Sequence, residues 1–313
     1  MIHDPLSDLL KLADVQSLVT GGFCAAGEWA IHFPPPDKIK FFAAQRGGSW
    51  FRLDGDTQAI RLEEGDAILL AISRGFVLAS DLSLPAVESR SVFAHRTDSI
   101  VRLDSVEPAE ASVLQIGGHV QLHPAHGALL AEVLPPVIHV RGTAPEAKAL
   151  RWILDQLALE REGLPGSALA TAQLAHLLFI QVLRAHLASG APLRASWLRA
   201  ATDARTAPAL KLMHEMPGHP WRLDQLARAA AMSRTSFATY FKSVAGEAPL
   251  AYLTRWRMRL AEQALRREDT PLASLASTLG YASESAFSHA FKRIVGVSPR
   301  HYGVTFRGAG EAA

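Results

Sequence analysis

The chain has 313 residues, 20% of them charged and 7% aromatic, and a formal net charge of +2. This length and composition are those of a globular protein with room for two domains. No apolar run reaches the roughly 20 residues that a membrane span requires. Met1–Leu18 is an amphipathic stretch with three aspartates rather than a signal peptide. We therefore expect a cytoplasmic protein without a membrane partner.

The chain contains one cysteine, Cys24, which excludes an intramolecular disulfide and fits a reducing compartment. A lone thiol is compatible with redox sensing. A half-buried position in a strand is the favoured interpretation.

Residues from about 20 to 140 form a series of short strand-like runs separated by turn signals. The turn signals are Pro34–Pro36, Gly47–Gly48, Asp54–Asp56 and Glu64–Asp66. Many short strands at this spacing predict a small β-barrel or jelly roll. The runs are Glu28–Phe33, Ile39–Ala44, Ser49–Leu53, Ala59–Leu62, Ala67–Ile72, Phe76–Ala79 and Ser99–Leu103.

The histidines of this β-rich region do not follow the pattern of a barrel metal site, in which inward-facing imidazoles and a carboxylate hold a divalent cation. No H-x-H followed by Glu lies between Phe41 and Leu62, and Ser73–Phe76 contains no histidine. Four histidines follow later: His119, His123, His126 and His139. Pro124 separates the middle pair and argues against a regular helix that presents both rings. We expect no metal and no cofactor.

The chain also lacks a nucleophile elbow, a phosphate-binding loop and a dinucleotide-binding glycine motif. The sequence therefore names no catalytic residue, and we do not expect an enzyme. A barrel of this size can instead enclose one small ligand. Candidate residues for lining such a pocket are His32, Phe42, Trp50, Arg52 and Arg74.

From Pro145 to Ser189 the apolar period becomes helical. Two apolar stripes, one from Leu150 to Leu157 and one from Leu174 to His186, are separated by Gly163–Gly166. The second stripe is apolar on more than one face, which favours a buried partner on both sides. The hairpin either packs on its own barrel or forms a homodimer. The predicted domains are 1–144, the helical hairpin 145–190, and 191–313.

The C-terminal part contains an internal repeat, which is sought before other patterns. The copies run from Leu223 to Tyr252 and from Leu272 to Tyr302, offset by 50 residues, with one extra residue in the second turn at Gly280–Ala282. Ser233, Phe237, Phe241, Lys242, Gly246, Pro249 and Tyr252 recur as Ser283, Phe287, Phe291, Lys292, Gly296, Pro299 and Tyr302.

Each copy predicts two short helices, because apolar residues recur at helical spacing on both sides of a polar turn. Ser233 and Ser283 are placed to cap the second helix, which would leave its opposite face in solvent. Two helices joined in this way, at 223–245 and 272–295, are typical of a helix-turn-helix that enters the major groove of DNA. The predicted DNA-binding residues are Arg234, Thr235, Ala238, Thr239, Lys242, Glu284, Ser285, Ser288, His289, Lys292 and Arg293.

Charge supports a nucleic-acid partner over a plain helical bundle. Residues 208–307 contain 14 Lys and Arg against 7 Asp and Glu, a net charge of +7, while the rest of the chain carries −5. Such a basic segment suits phosphate neutralisation. Between the copies, Ala251–Arg267 predicts one helix of roughly 25 Å. We expect its arginines to reach phosphates; they are Arg255, Arg257, Arg259, Arg266 and Arg267.

The motif GYASESAFSHAFKRIVGVSPRHY, together with the tandem repeat and the long connecting helix, resembles the AraC family of bacterial transcription regulators. The resemblance covers about 208–307. It implies that one subunit reads two adjacent major-groove segments near a promoter, with double-stranded DNA and RNA polymerase as partners. Ala238 and Thr239 depart from the long polar residues common there, so direct readout by the first unit is expected to be weak, leaving methyl contacts to thymine, or phosphate and shape readout. Glu284 has two open interpretations, a cytosine contact or a helix-dipole partner.

Two motifs of the β-rich region resemble the cupin-type sensor domain of many such regulators: G-x-x-W-x-x-x-D-G and R-L-x-x-G-D-A-I-L-L-x-x-x-R-G. Val113–Val140 resembles the end of that domain. The expected architecture is α+β: a cupin-like barrel or jelly roll, a helical hairpin and an all-α DNA-binding domain. We expect a transcription regulator modulated by a small molecule in the barrel. Two alternatives stay open: a cupin enzyme with an accessory DNA-binding tail, and a constitutive regulator whose barrel only dimerises.

Overall fold

The computed structural model describes residues 4–13, 15–94, 100–103, 111–122, 130, 133–161, 164–191, 193–267 and 270–308. The chain forms two units, Val15–Pro192 and a second one that combines Met1–Asp14 with Leu193–Ala313. The chain passes from one unit to the other between residues 192 and 193. The boundary expected from the sequence, between residues 190 and 191, lies two residues earlier. The N-terminal segment, grouped with the barrel from the sequence, belongs to the unit with the helix-turn-helix repeat. His123 and His126 lie outside the described residues.

The unit Val15–Pro192 contains two mixed β-sheets, which confirms the β-rich, cupin-like fold expected from the sequence. One sheet has six strands in the order β11-β6-β3-β10-β1-β9, and the other has five in the order β5-β4-β7-β2-β8. The strands are β1 (Gln16–Ala25), β2 (Ala30–Phe33), β3 (Ile39–Arg46), β4 (Ser49–Leu53), β5 (Ile60–Leu62), β6 (Ala67–Leu70), β7 (Phe76–Ala79), β8 (Val87–Glu88), β9 (Ile100–Arg102), β10 (Val113–Gln121) and β11 (Val137–Val140).

The core of this unit lies between the inner faces of the two sheets, because successive side chains along a strand point to opposite faces. Phe42 of one sheet meets Phe51 and Phe76 of the other, with ring centroids 5.5 and 5.4 Å from that of Phe42. All three rings are at most 5% exposed. The Phe76 ring also stacks on Phe33 at 4.8 Å. These aromatic contacts fix the spacing of the sheets.

Strands β1 and β10 are the two longest strands of the six-stranded sheet and pair with each other, and neither was predicted from alternation. Glycines interrupt both patterns, at Gly21–Gly22 and Gly117–Gly118. A register shift between Val19 and Gly21 further breaks the period in β1. In the antiparallel ladder Gly21 pairs with Gly117 and Gly22 with Ile116. Residues without side chains thus occupy the middle of the sheet.

Helices pack against both sheets of this unit. The short helix α2 (Ser89–Phe93) follows β8, and a hairpin of α3 (Lys148–Glu160) and α4 (Ser167–Ala188) follows β11. Helix α4 is long and apolar enough to cross a membrane by length and composition alone, so the expectation of no such run does not hold for it. Its buried residues, among them Phe179 and Val182, pack within this unit against α3, β1 and β11.

The other unit is helical among its described residues. Its element order confirms the tandem helix-turn-helix and the long connecting helix. The helices are α1 (Pro5–Leu12), α5 (Trp197–Thr202), α6 (Ala207–Glu215), α7 (Leu223–Ala229), α8 (Arg234–Ala245), α9 (Pro249–Arg267), α10 (Leu272–Thr278), α11 (Glu284–Val295) and α12 (Pro299–Gly308). Helix α9 has 19 residues, which corresponds to about 28 Å.

Candidate nucleic-acid interface

Helices α8 and α11 are the second helices of the two repeats and have matching ends. The Ser233 hydroxyl accepts a hydrogen bond from the Ser236 amide at 3.2 Å, and the Ser283 hydroxyl accepts one from the Ala286 amide at 3.1 Å. Gly246 and Gly296 end the helices with φ of 84° and 91°. The serines and glycines predicted from the sequence therefore set the length of both helices.

The inner faces of these helices are anchored by equivalent aromatic residues. Phe237 and Phe241 have centroids 5.5 Å apart, and Phe287 and Phe291 have centroids 5.7 Å apart. All four side chains are fully buried. Because a helix that buries one face must expose the other, the anchors fix which residues of α8 and α11 face solvent.

The solvent faces hold all eleven residues predicted to contact DNA. Eight are exposed, namely Arg234, Thr235, Thr239, Lys242, Ser285, His289, Lys292 and Arg293, and three are half-buried, namely Ala238, Glu284 and Ser288. Each helix therefore presents a continuous polar face with basic residues near its C-terminal end. The face of α8 combines small side chains with Arg234 and Lys242. The face of α11 adds His289 and Arg293.

Glu284 at the start of α11 has a partner within the protein. Its carboxylate lies 3.5 Å from the guanidinium of Arg300 in α12. The Arg300 side chain is 83% exposed, so this ion pair contributes little to stability. A carboxylate at this end also favours the helix dipole. Both interpretations of Glu284 stay open as predictions.

The arginines of α9 do not all face outward, contrary to the expectation that they reach phosphates. Arg259 is 7% exposed, which removes it from any surface contact. Arg257 donates to the carbonyls of Pro217 and His219. Arg255 stays half exposed and pairs with Glu247 at 3.0 Å. The sequence shows where the charged residues of α9 lie, but it does not show which of them the neighbouring elements bury.

Arg257 lies at a joint between the two helix-turn-helix units. Its guanidinium stacks over the Tyr281 ring in the second unit at 5.8 Å from the centroid. Its two hydrogen bonds reach the loop that precedes the first unit. In the same joint the backbones of Gly218 and Gly280 approach so closely that a Cβ atom on either residue would overlap the other segment. This contact fixes the second unit relative to the first.

A buried polar network lies beneath the first helix-turn-helix unit. The His214 ring stacks on Trp256 with centroids 3.9 Å apart, and its two nitrogens contact the Tyr252 hydroxyl at 2.7 Å and the Asp8 carboxylate at 3.2 Å. Burial lowers the pKa of His214, although Asp8 opposes the shift. Asp8 belongs to α1, so the N-terminal helix is part of the DNA-binding unit. The sequence indicates an amphipathic stretch here, but its eight helical residues carry no link to the repeat, so this placement was not predicted.

The unit Val15–Pro192 has a cavity of about 400 Å³ between its sheets. Of the five residues predicted to line a pocket, Phe42 lines this cavity. Trp50 and Arg52 alternate with the core residues Phe51 and Leu53 and so lie on the outer face of the five-stranded sheet. The Trp50 ring is covered by the Arg61 guanidinium at 5.4 Å.

The two remaining predicted pocket residues belong to a polar cluster at the strand ends. The His32 ring bridges Asp54 at 3.0 Å and Glu88 at 2.8 Å. The bond to Asp54 is the main cause that raises the pKa of His32. Arg74 pairs with Asp56 at 2.7 Å and donates to the Asp54 carbonyl. These contacts hold the β4–β5 turn against the segment before β7.

Two described histidines of this unit, His32 and His139, bond to carboxylates. His139 bonds to the Asp66 carboxylate at 2.8 Å. Burial would raise the pKa of Asp66, but the bonds from His139 and the Gly142 amide outweigh it and lower that pKa. Burial lowers the pKa of His119. Among the described residues, no group of three or more His, Cys, Asp or Glu is arranged to hold a metal ion.

Two capped and exposed recognition helices on one connecting helix, together with a separate β-sandwich unit, define a two-domain DNA-binding transcription regulator. Profiles of known families agree: one described as a helix-turn-helix domain matches residues 226–303, and one described as Cupin matches residues 4–188. A putative AraC-like transcription regulator of Streptomyces antibioticus is 40% identical over 96% of this chain and 98% of its own length. The chain belongs to the AraC family of transcription regulators.

Other similar proteins carry related names. The transcriptional regulator AlkR of Acinetobacter baylyi is 34% identical over 88% of this chain and 91% of its own length. Among solved structures, the DNA-binding domain of AdpA in complex with a target DNA is 28% identical and covers 34% of this chain and 96% of its own, with a TM-score of 0.32. ToxT from Vibrio cholerae is 12% identical, covers 94% of this chain and 98% of its own, and has a TM-score of 0.35.

Proposed function

We propose that this regulator binds double-stranded DNA by placing α8 and α11 in successive segments of the major groove. The observation that carries the proposal is the pair of equivalent solvent faces, each capped and anchored in the same way and joined by α9. A single subunit would then contact two segments about 34 Å apart along the duplex. The net charge of +7 over 208–307 supplies the attraction for phosphates.

The eleven residues divide into two roles by side-chain chemistry. Arg234, Lys242, Lys292 and Arg293 are exposed cations suited to phosphates. Thr235, Ser285, Ser288 and His289 carry short or flat polar groups suited to base edges. Glu284 accepts from a cytosine amino group if its pair with Arg300 opens. Ala238 and Thr239 contribute methyl contacts to thymine, so we expect the second unit to dominate sequence readout.

The salt dependence of DNA binding tests this assignment. Operators are first selected from random duplexes by the full chain, and affinity is then measured by fluorescence anisotropy across salt concentrations. Replacement of Arg293 by Ala is expected to weaken binding and to reduce the slope of log K against log salt by about 1. Arg234→Ala is expected to act in the same way. Lys211→Ala, which removes a cation of α6 that pairs with Glu215, is the control. Equal slopes in all four proteins would refute the phosphate role.

The β-sandwich unit is proposed to bind a small-molecule effector without transforming it. The cavity between the sheets supports a ligand site, and the relatives are named as transcription regulators. Effector binding would shift the population of states with different DNA affinity. The protein would act in the cytoplasm and contact RNA polymerase at the promoter. Thermal unfolding with and without candidate metabolites separates this role from a barrel that only dimerises.

A homodimer is also part of the proposal, with α3 as the contact helix. Trp152 and Leu159 lie seven residues apart on α3 and are 53% and 49% exposed. That spacing places both on one helix face. A second copy would cover them. Sedimentation of the full chain and of Trp152→Ser with Leu159→Ser tests the contact: the variant is expected to be monomeric at concentrations where the wild type is dimeric.

A further inference from the structure

The cavity between the two sheets has a distinct chemical character. Its volume of about 400 Å³ is within the range of sites that hold small molecules. Six phenylalanines contribute to its lining, namely Phe23, Phe33, Phe41, Phe42, Phe76 and Phe93. The lining that the structure describes contains no aspartate or glutamate. An apolar, aromatic ligand body would be well accommodated.

The cavity exists because glycines occupy inward-facing positions of the six-stranded sheet. Gly117 of β10 pairs with Phe42 of β3 and with Gly21 of β1. Since Phe42 points to the core, its paired residues share that face. A Cβ atom on Gly117 would meet only ordinary contacts, the nearest being the Phe41 carbonyl at 3.6 Å. A larger side chain at this position would therefore enter the cavity without a clash of the backbone.

Lys40 brings a positive charge to this apolar space. It lies two residues before Phe42 on β3, so both side chains are on the inner face. Its ammonium group is 5.6 Å from the centroid of Phe33. Burial lowers the pKa of Lys40, and the charge of Asp37 only partly opposes this. A cation in such surroundings gains most from an anionic partner.

Two further groups complete the polar part of the site. Arg90 on α2 lines the cavity and is exposed, which places a second cation at its edge. Gln115 is 1% exposed and donates from its side-chain amide to the Ser49 hydroxyl at 3.1 Å. The side-chain oxygen of Gln115 is buried without a hydrogen-bond partner among the described residues. A ligand hydroxyl would satisfy it.

We propose that this cavity binds an organic monocarboxylate with an aromatic or short apolar body, with the carboxylate on Lys40 and the body among the phenylalanine rings. The inference rests on the proposed role of this unit as the effector-binding part of the regulator, and it names the chemical class of that effector. Arg90 assists the carboxylate from the cavity edge.

The experiment compares an acid with a neutral molecule of the same body. Binding of 3-phenylpropanoate and of 3-phenylpropan-1-ol to the full chain is measured by calorimetry and by thermal unfolding, without DNA. A charge-assisted hydrogen bond favours the acid, so we expect it to bind at least about tenfold more tightly than the alcohol. Equal affinities, or no binding of either probe at millimolar concentration, would overturn the proposal.

Three variants assign the effect to residues. Lys40→Met is expected to reduce acid binding to the level of the alcohol while alcohol binding is retained. Lys38→Met removes an exposed lysine that does not line the cavity and is expected to change nothing. Gly117→Leu fills the cavity and is expected to abolish binding of both probes. An acid preference that survives Lys40→Met, or unchanged binding by Gly117→Leu, refutes the site.

DNA binding, measured separately on the same proteins, keeps the two proposals distinct. All three variants are expected to retain wild-type affinity for selected operators in the absence of ligand, and thermal unfolding of each variant without ligand checks that the β-sandwich unit folds. Acid binding without any salt-dependent DNA binding would overturn the regulatory proposal and support the ligand class. DNA binding that the acid leaves unchanged would overturn the effector role of the site.

Discussion

The two helix-turn-helix units are copies with the same internal anchors and different surroundings. In both, a serine caps the second helix and a phenylalanine contacts a tyrosine of the next helix: Phe241 and Tyr252 have centroids 5.9 Å apart, and Phe291 and Tyr302 have centroids 5.6 Å apart. The interior of the unit is therefore repeated almost without change. The contacts that differ are those by which each unit is attached to its neighbours.

The equivalent tyrosines show the difference most clearly. Tyr252 bonds to His214, whose other nitrogen contacts Asp8. Tyr302 contacts Arg266 at 3.4 Å and interacts with Glu262. Burial raises the pKa of Glu262 to about 7, although Arg266 and Arg259 oppose the shift. One repeat thus rests on a buried histidine and the other on a half-buried carboxyl group.

The turns of the two units also differ at one residue. The Met232 amide bonds to the Ala227 carbonyl and the Tyr281 amide to the Ala276 carbonyl, both at 2.9 Å. These bonds make Ala231 and Gly280, which precede Met232 and Tyr281, equivalent. Ala231 has φ of 50° and Gly280 has φ of 77°. The extra residue of the second turn is therefore Ala282, and the same backbone conformation is built from different residues.

The substitution with the largest expected effect disrupts the contact between the two helix-turn-helix units. Gly280→Ala places a Cβ atom on the Gly218 carbonyl and in a left-handed conformation, so we expect it to lower the free energy of unfolding by about 3 kcal/mol. Gly296→Ala has a similar φ of 91° and no neighbour within 4 Å, and is expected to cost only about 1 kcal/mol. Denaturant unfolding measures both. Equal losses would show that the close approach is unimportant.

The next prediction concerns pH and the second unit. The folded pKa of Glu262 is about 7 against a usual value of 4.5, so the folded state holds a proton that the unfolded state releases between these pH values. Stability from this group is present below pH 4.5 and is lost as pH rises through 7. Glu262→Gln removes the loss, and we expect it to raise the free energy of unfolding at pH 8 by about 2 kcal/mol.

The first helix-turn-helix unit contains a group, His214, whose contribution to stability has the opposite pH dependence. The pKa of His214 is lowered below 6.5, so its contribution is present above pH 6.5 and is lost as pH falls through the folded value. Asp8, Tyr252, Trp256 and Arg259 face this ring. Glu262→Gln is therefore expected to leave the profile unchanged only below pH 4.5, where Glu262 is protonated in both the folded and the unfolded state. A parallel shift of the profile at all pH values would contradict the assignment to Glu262.

A third prediction compares sequence readout by the two units. Ser288→Ala with His289→Ala in α11 is expected to change which bases are preferred in one half of the operator, by about 1–3 kcal/mol per lost contact. Thr239→Ala in α8 is expected to leave the preference in the other half nearly unchanged. Selection from random duplexes measures both. A stronger change from Thr239→Ala would reverse the proposed ranking of the units.

The helical repeat was predictable because its signals are local. Caps such as Ser233 and Ser283, and stops such as Gly246 and Gly296, act within one helical turn, and the structure confirms the helices that they predict. The burial of Arg259 was not predictable, since it depends on neighbours that only the tertiary fold brings together. The same holds for the placement of α1 beside α6.

In the β-rich unit, the strands were predicted better than the cavity. Alternation in β4 is visible in the sequence, but which side faces the core is decided by pairing with distant strands, so the positions of Trp50 and Arg52 could not be read from it. A usable signal was present at Lys40, a charged residue inside the aromatic run of β3. The glycine pairs of β1 and β10 hid two strands and were also the cause of the cavity.

The smallest effect is expected from the reverse substitution, alanine to glycine, at the equivalent position of the first turn. Ala231→Gly removes a side chain from a left-handed position, which favours the folded state by about 1 kcal/mol. Glycine also gives the unfolded chain more freedom, which opposes folding by a similar amount. We therefore expect a net change of at most about 0.5 kcal/mol in denaturant unfolding. The difference in stability effect between Ala231→Gly and Gly280→Ala then has one physical source. That source is the backbone of Gly218, which faces only the turn of the second helix-turn-helix unit. A loss of about 2 kcal/mol or more would show that the Ala231 methyl group makes contacts that outweigh its backbone strain.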